Sequence, residues 1–328
     1  MAADHTRTEK DLPDASKVLA ALKERQNGAK GLPARGGWVY LINDANDFLS
    51  YQFGVRSWTQ KEKERVHEIL SERRDYFTRA QIFYMMVVTP EKSVAYSEWL
   101  PSELAALSLA NDRPAPHVAE RFAAIISYPL DHLQAMKRHG LLFFRGDTHV
   151  NWLGAFHLYH HTIDAMRDRG FDLGEAISLR YFQLHLASWD GDMLLQIPEA
   201  LKTEFEKDSA TWRPMFMQES VVQLTLHPNH RRACRLSEPD VFRIGRPERE
   251  TIVTRHADTS LPRAVIFRDS TASLLIDLLA EHFSRAVFVW HENDVIGSVI
   301  EQEKPDVVLH FKSERFLASY PMAVPIFY

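Results

Sequence analysis

The 328-residue chain contains a single cysteine, Cys234. An internal disulfide is therefore excluded, and the fold does not depend on an oxidising compartment. Cys234 reads as a small, semi-buried residue rather than a nucleophile. No apolar run approaches the length of a membrane span. The opening residues, Met1-Ala2-Ala3-Asp4-His5-Thr6, lack the apolar core of a secretory leader. As the sequence stands it reads as cytoplasmic, with the periplasm or cell envelope as the alternative if a leader has been removed. Long basic runs are also missing and the net charge is −5, so nucleic acid is not an expected partner. The Arg231-Arg232 pair beside His227 and His230 is short and reads as a solvated loop. There is no internal repeat.

What is present is ordinary in amount and informative in order. Hydrophobic residues make up 45% and charged residues 25%, enough for a core of normal size in one large domain or two smaller ones. Residues 1–35 read as a short helix over about 15–25 and a loose linker rich in Gly, Pro and Lys; a single domain is expected over 36–328. Gly37–Ile42 reads as a strand. Thr59 and Glu62 fit a capping box, and Val66, Ile69, Leu70 and Phe77 share one helical face, so 57–79 is an amphipathic helix. Ile82–Val88 is apolar throughout, as a strand buried on both faces must be. Helices over 103–109 and 116–138, a strand over 141–144 and a helix over 152–169 follow. Residues from about 200 to 260 read as an irregular, β-containing insertion. The alternation then resumes with strands at 264–267, 286–290 and 306–311 and helices at 272–283 and 294–301. Strands alternating with helices predict an α/β fold: a three-layer α/β/α sandwich around a mostly parallel central sheet.

Two segments carry chemistry. Phe144-Arg145-Gly146-Asp147-Thr148-His149-Val150-Asn151 and Val265-Ile266-Phe267-Arg268-Asp269-Ser270 each end a run of β-formers in polar side chains. An open α/β sheet presents reactive groups at its carboxyl edge in this way. Asp147 and His149 are two residues apart, so in extended chain they project to one side, and the carboxylate would orient the imidazole. Ser270 stands between a strand and a helix with the apolar face Leu274, Leu275, Leu278, Leu279 and Phe283. Its backbone N–H would therefore lie at a helix N-terminus, where an oxyanion is stabilised. Plainer readings exist: Ser270 or Thr271 as a helix cap, and Asp147 or Asn151, in a polar loop, as the cap of the next helix. His157, His160 and His161 have a spacing compatible with a metal. No cysteine or acidic cluster accompanies them, so they read as partly buried helix residues, and no metal is expected.

The same residues resemble a known family. Asp147-Thr148-His149-x-Asn151-x-x-Gly154-Ala155 is similar to the Asp-Thr-His-Trp-Asn-x-x-Gly-Ala motif of the alginate O-acetyltransferase-like branch of the SGNH hydrolase superfamily. Phe267-Arg268-Asp269-Ser270 resembles that branch's Arg-Asp-Ser nucleophile block. Gly37–Leu41, Pro90-Glu91-Lys92 with Tyr96 and Leu100-Pro101, Gly191-Asp192-Met193, and Asp306–Val308 with Glu314-Arg315 match further segments of the branch in the right order. The resemblance spans about residues 36–318. Acid and base precede the serine, which fits the permuted order of this branch rather than that of ordinary SGNH esterases. Val150 stands where the family has Trp, a change expected in the wall of the acceptor site and not in the triad.

The resemblance implies acyl transfer through an acyl-serine intermediate, with O-acetylation of a polysaccharide or glycan precursor as the reaction. Ser270 would be the nucleophile, His149 the base, and Asp147 the residue that orients it. The Ser270 N–H would be one oxyanion donor, with Arg268 or another loop N–H as the second. Asn151, Lys92, Tyr96 and Trp152 are further candidates for substrate contacts, alongside Asn43 and Asp44. These loops offer hydrogen-bonding and flat aromatic groups suited to a pyranose, and no long apolar pocket is expected among them. No cofactor is implied; an acetyl donor or donor protein and a glycan acceptor are the partners. A carbohydrate esterase with the same triad is the alternative, and a non-catalytic glycan-binding module the third reading.

Overall fold

The computed structural model describes residues 13–202, 218–237, 249, 251–291 and 293–327. Its strands are β1 (Gly31–Pro33), β2 (Val39–Leu41), β3 (Phe83–Thr89), β4 (Ile126–Ser127), β5 (Phe182–Asp190), β6 (Gln218–Leu226), β7 (Ala233–Leu236), β8 (Ile252–His256), β9 (Arg263–Arg268), β10 (Arg285–Trp290) and β11 (Val307–Ser313). Seven of them form one sheet in the order β4-β3-β11-β9-β10-β8-β7. The five from β4 to β10 are parallel, and β8 and β7 complete one edge antiparallel.

The side-chain alternation of the central strands shows why this sheet is covered on both sides. Met85 and Val87 of β3, Ile266 of β9 and Leu309 of β11 pack into one core. Their neighbours Met86, Val88, Val265, Phe267 and Val308 pack into the other. The second core is capped by the helix Gln60–Ala80, whose Val66, Ile69, Leu70 and Phe77 are buried. Each such side chain contributes roughly 1.5–3 kcal/mol when fully buried. Thr59 and Glu62 form the capping box expected at its start. The first core is covered by the helix Trp152–Asp168 and by Ala15–Gln26, whose Leu19 and Leu22 are buried. Residues before 36 are thus no loose linker: the first helix packs on the core and β1 pairs antiparallel with β2.

Several expected elements differ. Gly37–Ile42 contributes β2, which pairs with β1 outside the main sheet. The helix expected over 116–138 is divided into Pro114–Arg121 and Leu130–Met136, with edge strand β4 between them. The expected strand 141–144 is reduced to one bridge, Phe143 with Val150. The insertion starts earlier than residue 200, because β5 pairs with β6 over nine residues in a separate antiparallel ribbon. It also ends earlier, because β7 and β8 belong to the main sheet. Residues 203–217, 238–248 and 250, within the expected insertion, lie outside the described residues.

Candidate active site

Strands β3, β9, β10 and β11 run parallel, so the residues that follow them collect at one edge. Ser270 follows β9, Glu91 and Lys92 follow β3, and Glu314 and Arg315 follow β11. Asp269 is the cap of the 3-10 turn Ser270–Leu275, accepting from the Thr271 N–H at 2.8 Å and from the Thr271 hydroxyl. Its other oxygen accepts from the Ser313 N–H at 2.6 Å and ties β9 to β11. The expected cap role of Ser270 or Thr271 therefore falls to Asp269. Ser270 opens the turn, where backbone N–H groups have no intrahelical acceptor.

The acid and base arrive differently from what the sequence suggested. Phe143 and Val150 pair once, the Phe144 N–H donates to the His149 carbonyl at 3.2 Å, and a tight loop closes over 144–149. Asp147 and His149 share a side through a local turn rather than extended chain. One Asp147 oxygen accepts from the His149 N–H at 3.0 Å and from His149 Nδ1 at 2.6 Å. His149 Nε2 lies 2.7 Å from the Ser270 hydroxyl oxygen. In the tautomer with Nδ1 protonated, the serine hydroxyl donates to Nε2. The three residues, 121 positions apart at the widest bond, thus form one continuous chain of hydrogen bonds.

Electrostatics fit this chain. Burial disfavours the charge of Asp147, yet the hydrogen bond and charge of His149, with the Trp189 indole, outweigh it and hold the carboxyl well below its usual range. Burial pushes His149 towards neutrality, but Asp147 and then Asp192 prevail and raise its pKa.

Two residues without a role in the sequence reading complete the support. Trp189 of β5 donates its indole N–H to the second Asp147 oxygen at 2.8 Å. Asp192 accepts from the Thr148 N–H at 2.9 Å and hydroxyl at 2.8 Å, and its own N–H donates to Asp147 at 3.3 Å. The signal for Asp192 was the Gly191-Asp192-Met193 motif. A Cβ on Gly191 would stand 2.1 Å from the Gly146 carbonyl oxygen, so the glycine lets the two loops touch. Trp189 had no comparable signal. Asp147, His149 and Asp192 are also the one group of three potential metal ligands among the described residues. Both carboxylates already accept N–H or O–H donors on each oxygen, which suits proton relay rather than a cation.

The other candidates divide. Lys92 is buried. Its ammonium donates to the carbonyls of Phe144, Arg145 and Asp147 at 3.2, 2.7 and 2.5 Å, beneath the loop, and sits against the rings of Trp38 and Tyr40. Burial lowers its pKa to about 8. Tyr96 is buried and accepts from the Leu142 N–H at 2.9 Å. Asn151 caps the helix Trp152–Asp168 through Gly154 and ties back to the Leu141 carbonyl. These three hold the loop. Asn43 bonds the Ala29 carbonyl, and Asp44 accepts from the Asn46 and Phe48 N–H groups, so both brace local backbone. Arg268 points to the Asp269 carbonyl and the Ser273 hydroxyl and stacks over Trp290. Trp152 is half-buried and packs edge-on against Phe144 and Trp189.

Three further expectations are corrected or resolved. Val150 is buried in the core and forms no wall of the site. A pocket of mixed polar and apolar lining exists, built mostly by the ribbon and helix faces rather than by those loops. His157, His160 and His161 turn to three different partners: His139, the Ile177 carbonyl and Ser127.

No family profile matches the chain, and no curated protein does. Solved structures do. The fold is similar to that of Bacillus cereus PatB1, at 16% identity over 80% of this chain and 92% of that one, TM-score 0.54. It is similar to the O-acetyltransferase domain of Pseudomonas putida AlgJ, at 16% identity over 90% and 93%, TM-score 0.55. A DHHW family protein from Eubacterium siraeum matches at 12% identity over 89% and 97%, TM-score 0.56. The chain thus has the α/β sandwich that the motif resemblance implied, shared with AlgJ and PatB1 at the level of fold. Among the described residues, no helix is long and apolar enough to cross a membrane.

Proposed function

We propose that the chain is a serine-dependent O-acyltransferase that moves an acyl group, acetyl in the simplest case, onto a hydroxyl of a polysaccharide or glycan precursor. The observation that carries this reading is the Asp147–His149–Ser270 relay, at 2.6 and 2.7 Å. The fold shared with a structure described as an O-acetyltransferase domain supports it. Ser270 Oγ attacks the acyl carbon of an ester or thioester donor while its proton passes to His149 Nε2. The imidazolium, stabilised by Asp147, returns that proton to the leaving group. The acceptor hydroxyl then attacks the acyl-serine, gives its proton to His149, and Ser270 leaves with that proton. The Ser270 N–H is the oxyanion donor we assign. Of the two compartments left open by the sequence, the cell envelope accords with a polysaccharide acceptor.

The test is incubation with an acetyl donor and a panel of oligosaccharides, read by intact mass. Acetylated glycan and a transient acetyl-enzyme are expected. Acetate released at one rate with or without sugar replaces this reading with the esterase. Neither product leaves only a binding module.

A further inference from the structure

Two recesses, of about 350 and 320 Å³, share Arg231, Arg235 and Asp277 in their walls. They therefore adjoin, with these three residues as a polar bridge between them. No member of the relay lines either recess, so acyl transfer does not take place in them. The larger one is nevertheless close in the chain. Ser273, in its wall, follows Ser270 by three residues, roughly 6 Å along a 3-10 turn.

The larger recess offers flat carbon surface and polar groups in one place. Trp152 and Phe156, one turn apart on the helix Trp152–Asp168, and Phe182 of β5 supply aromatic residues to its wall. Gln223 and Thr225 of β6 supply polar ones. Among the described residues, the Trp152 indole N–H, the Gln223 amide and the Thr225 hydroxyl have no hydrogen-bond partner, and none of the three is sealed from solvent. The bridge adds fixed geometry. One Asp277 oxygen accepts from Arg231 at 3.2 Å and the other from Arg235 at 2.9 Å, so planar groups are held in place by one another. Each guanidinium has five N–H donors, more than a shared carboxylate occupies. A purely apolar ligand would leave these polar groups unpaired, at a cost. A small anion would leave the aromatic surface uncovered. A pyranose matches both, because its C–H face covers a ring while its hydroxyls donate to and accept from the polar groups around it.

We infer that these adjoining recesses form a saccharide-binding site, separate from the point of acyl transfer, with one sugar unit in the larger recess and its neighbour at the Arg231–Asp277–Arg235 bridge. The inference rests on the acyltransferase reading for its polymeric acceptor and adds where that polymer is held: units other than the one acylated are anchored here.

The test is calorimetric titration of the full chain, without acyl donor, with hexasaccharides of glucose, N-acetylglucosamine and mannuronate. At least one is expected to bind with a Kd on the order of 1 mM or tighter. Gln223→Ala and Asp277→Ala, on separate elements so that misfolding of one leaves the other informative, are expected to weaken that binding about tenfold. Both should keep the wild-type rate on p-nitrophenyl acetate, which reports a folded relay and needs no sugar. Leu186→Ala, on the ribbon but outside the recesses, is expected to bind as the wild type does. Absence of binding by all three hexasaccharides, or binding that both variants retain in full, overturns the inference and leaves the acyltransferase reading standing. If p-nitrophenyl acetate never acylates Ser270 while the variants still lose the sugar, the acyltransferase reading falls and the saccharide site stands.

Discussion

His149 must be neutral to take a proton while bonded to an anion that favours its charged form. Its pKa is raised above the ordinary 6.5, after opposition from burial, chiefly by Asp147. The base form is therefore lost as pH falls, and kcat/KM on an aryl ester should decline below a midpoint above about 6.5. A rate flat from pH 5 to 8 would count against a histidine base. Lys92 sets the opposite limb. Its pKa is lowered to about 8 by burial, so its ammonium, and one of its three donors to the loop over 144–149, is lost as pH rises through that value. A falling alkaline limb near pH 8 is expected, and Lys92→Met should remove that limb while lowering the rate throughout. Ser270→Ala should lower turnover by several orders of magnitude with the fold retained. Retention of more than about a tenth of the wild-type rate would assign the nucleophile elsewhere.

The loop that carries Asp147 and His149 is held by backbone contacts that only glycine permits. A Cβ on Gly191 meets the Gly146 carbonyl at 2.1 Å, and one on Gly154 meets the Leu142 carbonyl at 1.9 Å. Backbone cannot rotate away as a side chain can, so Gly191→Ala should cost about 1–3 kcal/mol of stability and also displace Asp192 from Thr148. A denaturant melt and the ester assay should both register the change; loss of stability with full activity would show that the Asp192 contact is dispensable. Thr59→Ala offers the contrast. The cap of the helix Gln60–Ala80 is remote from the relay, so about 1 kcal/mol of stability should be lost with activity intact.

At the scale of the molecule, the sheet is held between two cores, and the first helix is part of one of them. Leu22 is 3% exposed. Leu22→Ala should therefore destabilise the whole domain by about 2–5 kcal/mol, measured by a shifted denaturant midpoint at unchanged slope. A change below about 0.5 kcal/mol would instead suit the loose N-terminal segment that composition suggested. The ribbon is the other feature of this scale. It brings Trp189 to Asp147 and Glu219 to the Arg145 N–H at 2.6 Å, so a separate two-stranded unit supports the loop from outside the sheet.

What the sequence determined by itself is whatever periodicity and local chemistry dictate. Ile82–Val88 read as a strand buried on both faces, Thr59 with Glu62 marked a helix start, and the two-residue spacing of Asp147 and His149 paired an acid with a base. The short motifs also preserved the contacts that glycine makes possible, although their purpose was not visible. Tertiary structure decided the rest, because those features depend on residues distant in the chain. Lys92 looked like a pocket residue until the loop carbonyls were seen to consume its three donors. Residues 141–144 looked like a strand because all four are apolar, yet Leu141 is exposed, and Leu142, Phe143 and Phe144 are buried with one bridge rather than a ladder. Trp189 lies on a strand with no catalytic signature and acquires its role only because β5 pairs with β6 and lays the indole against Asp147.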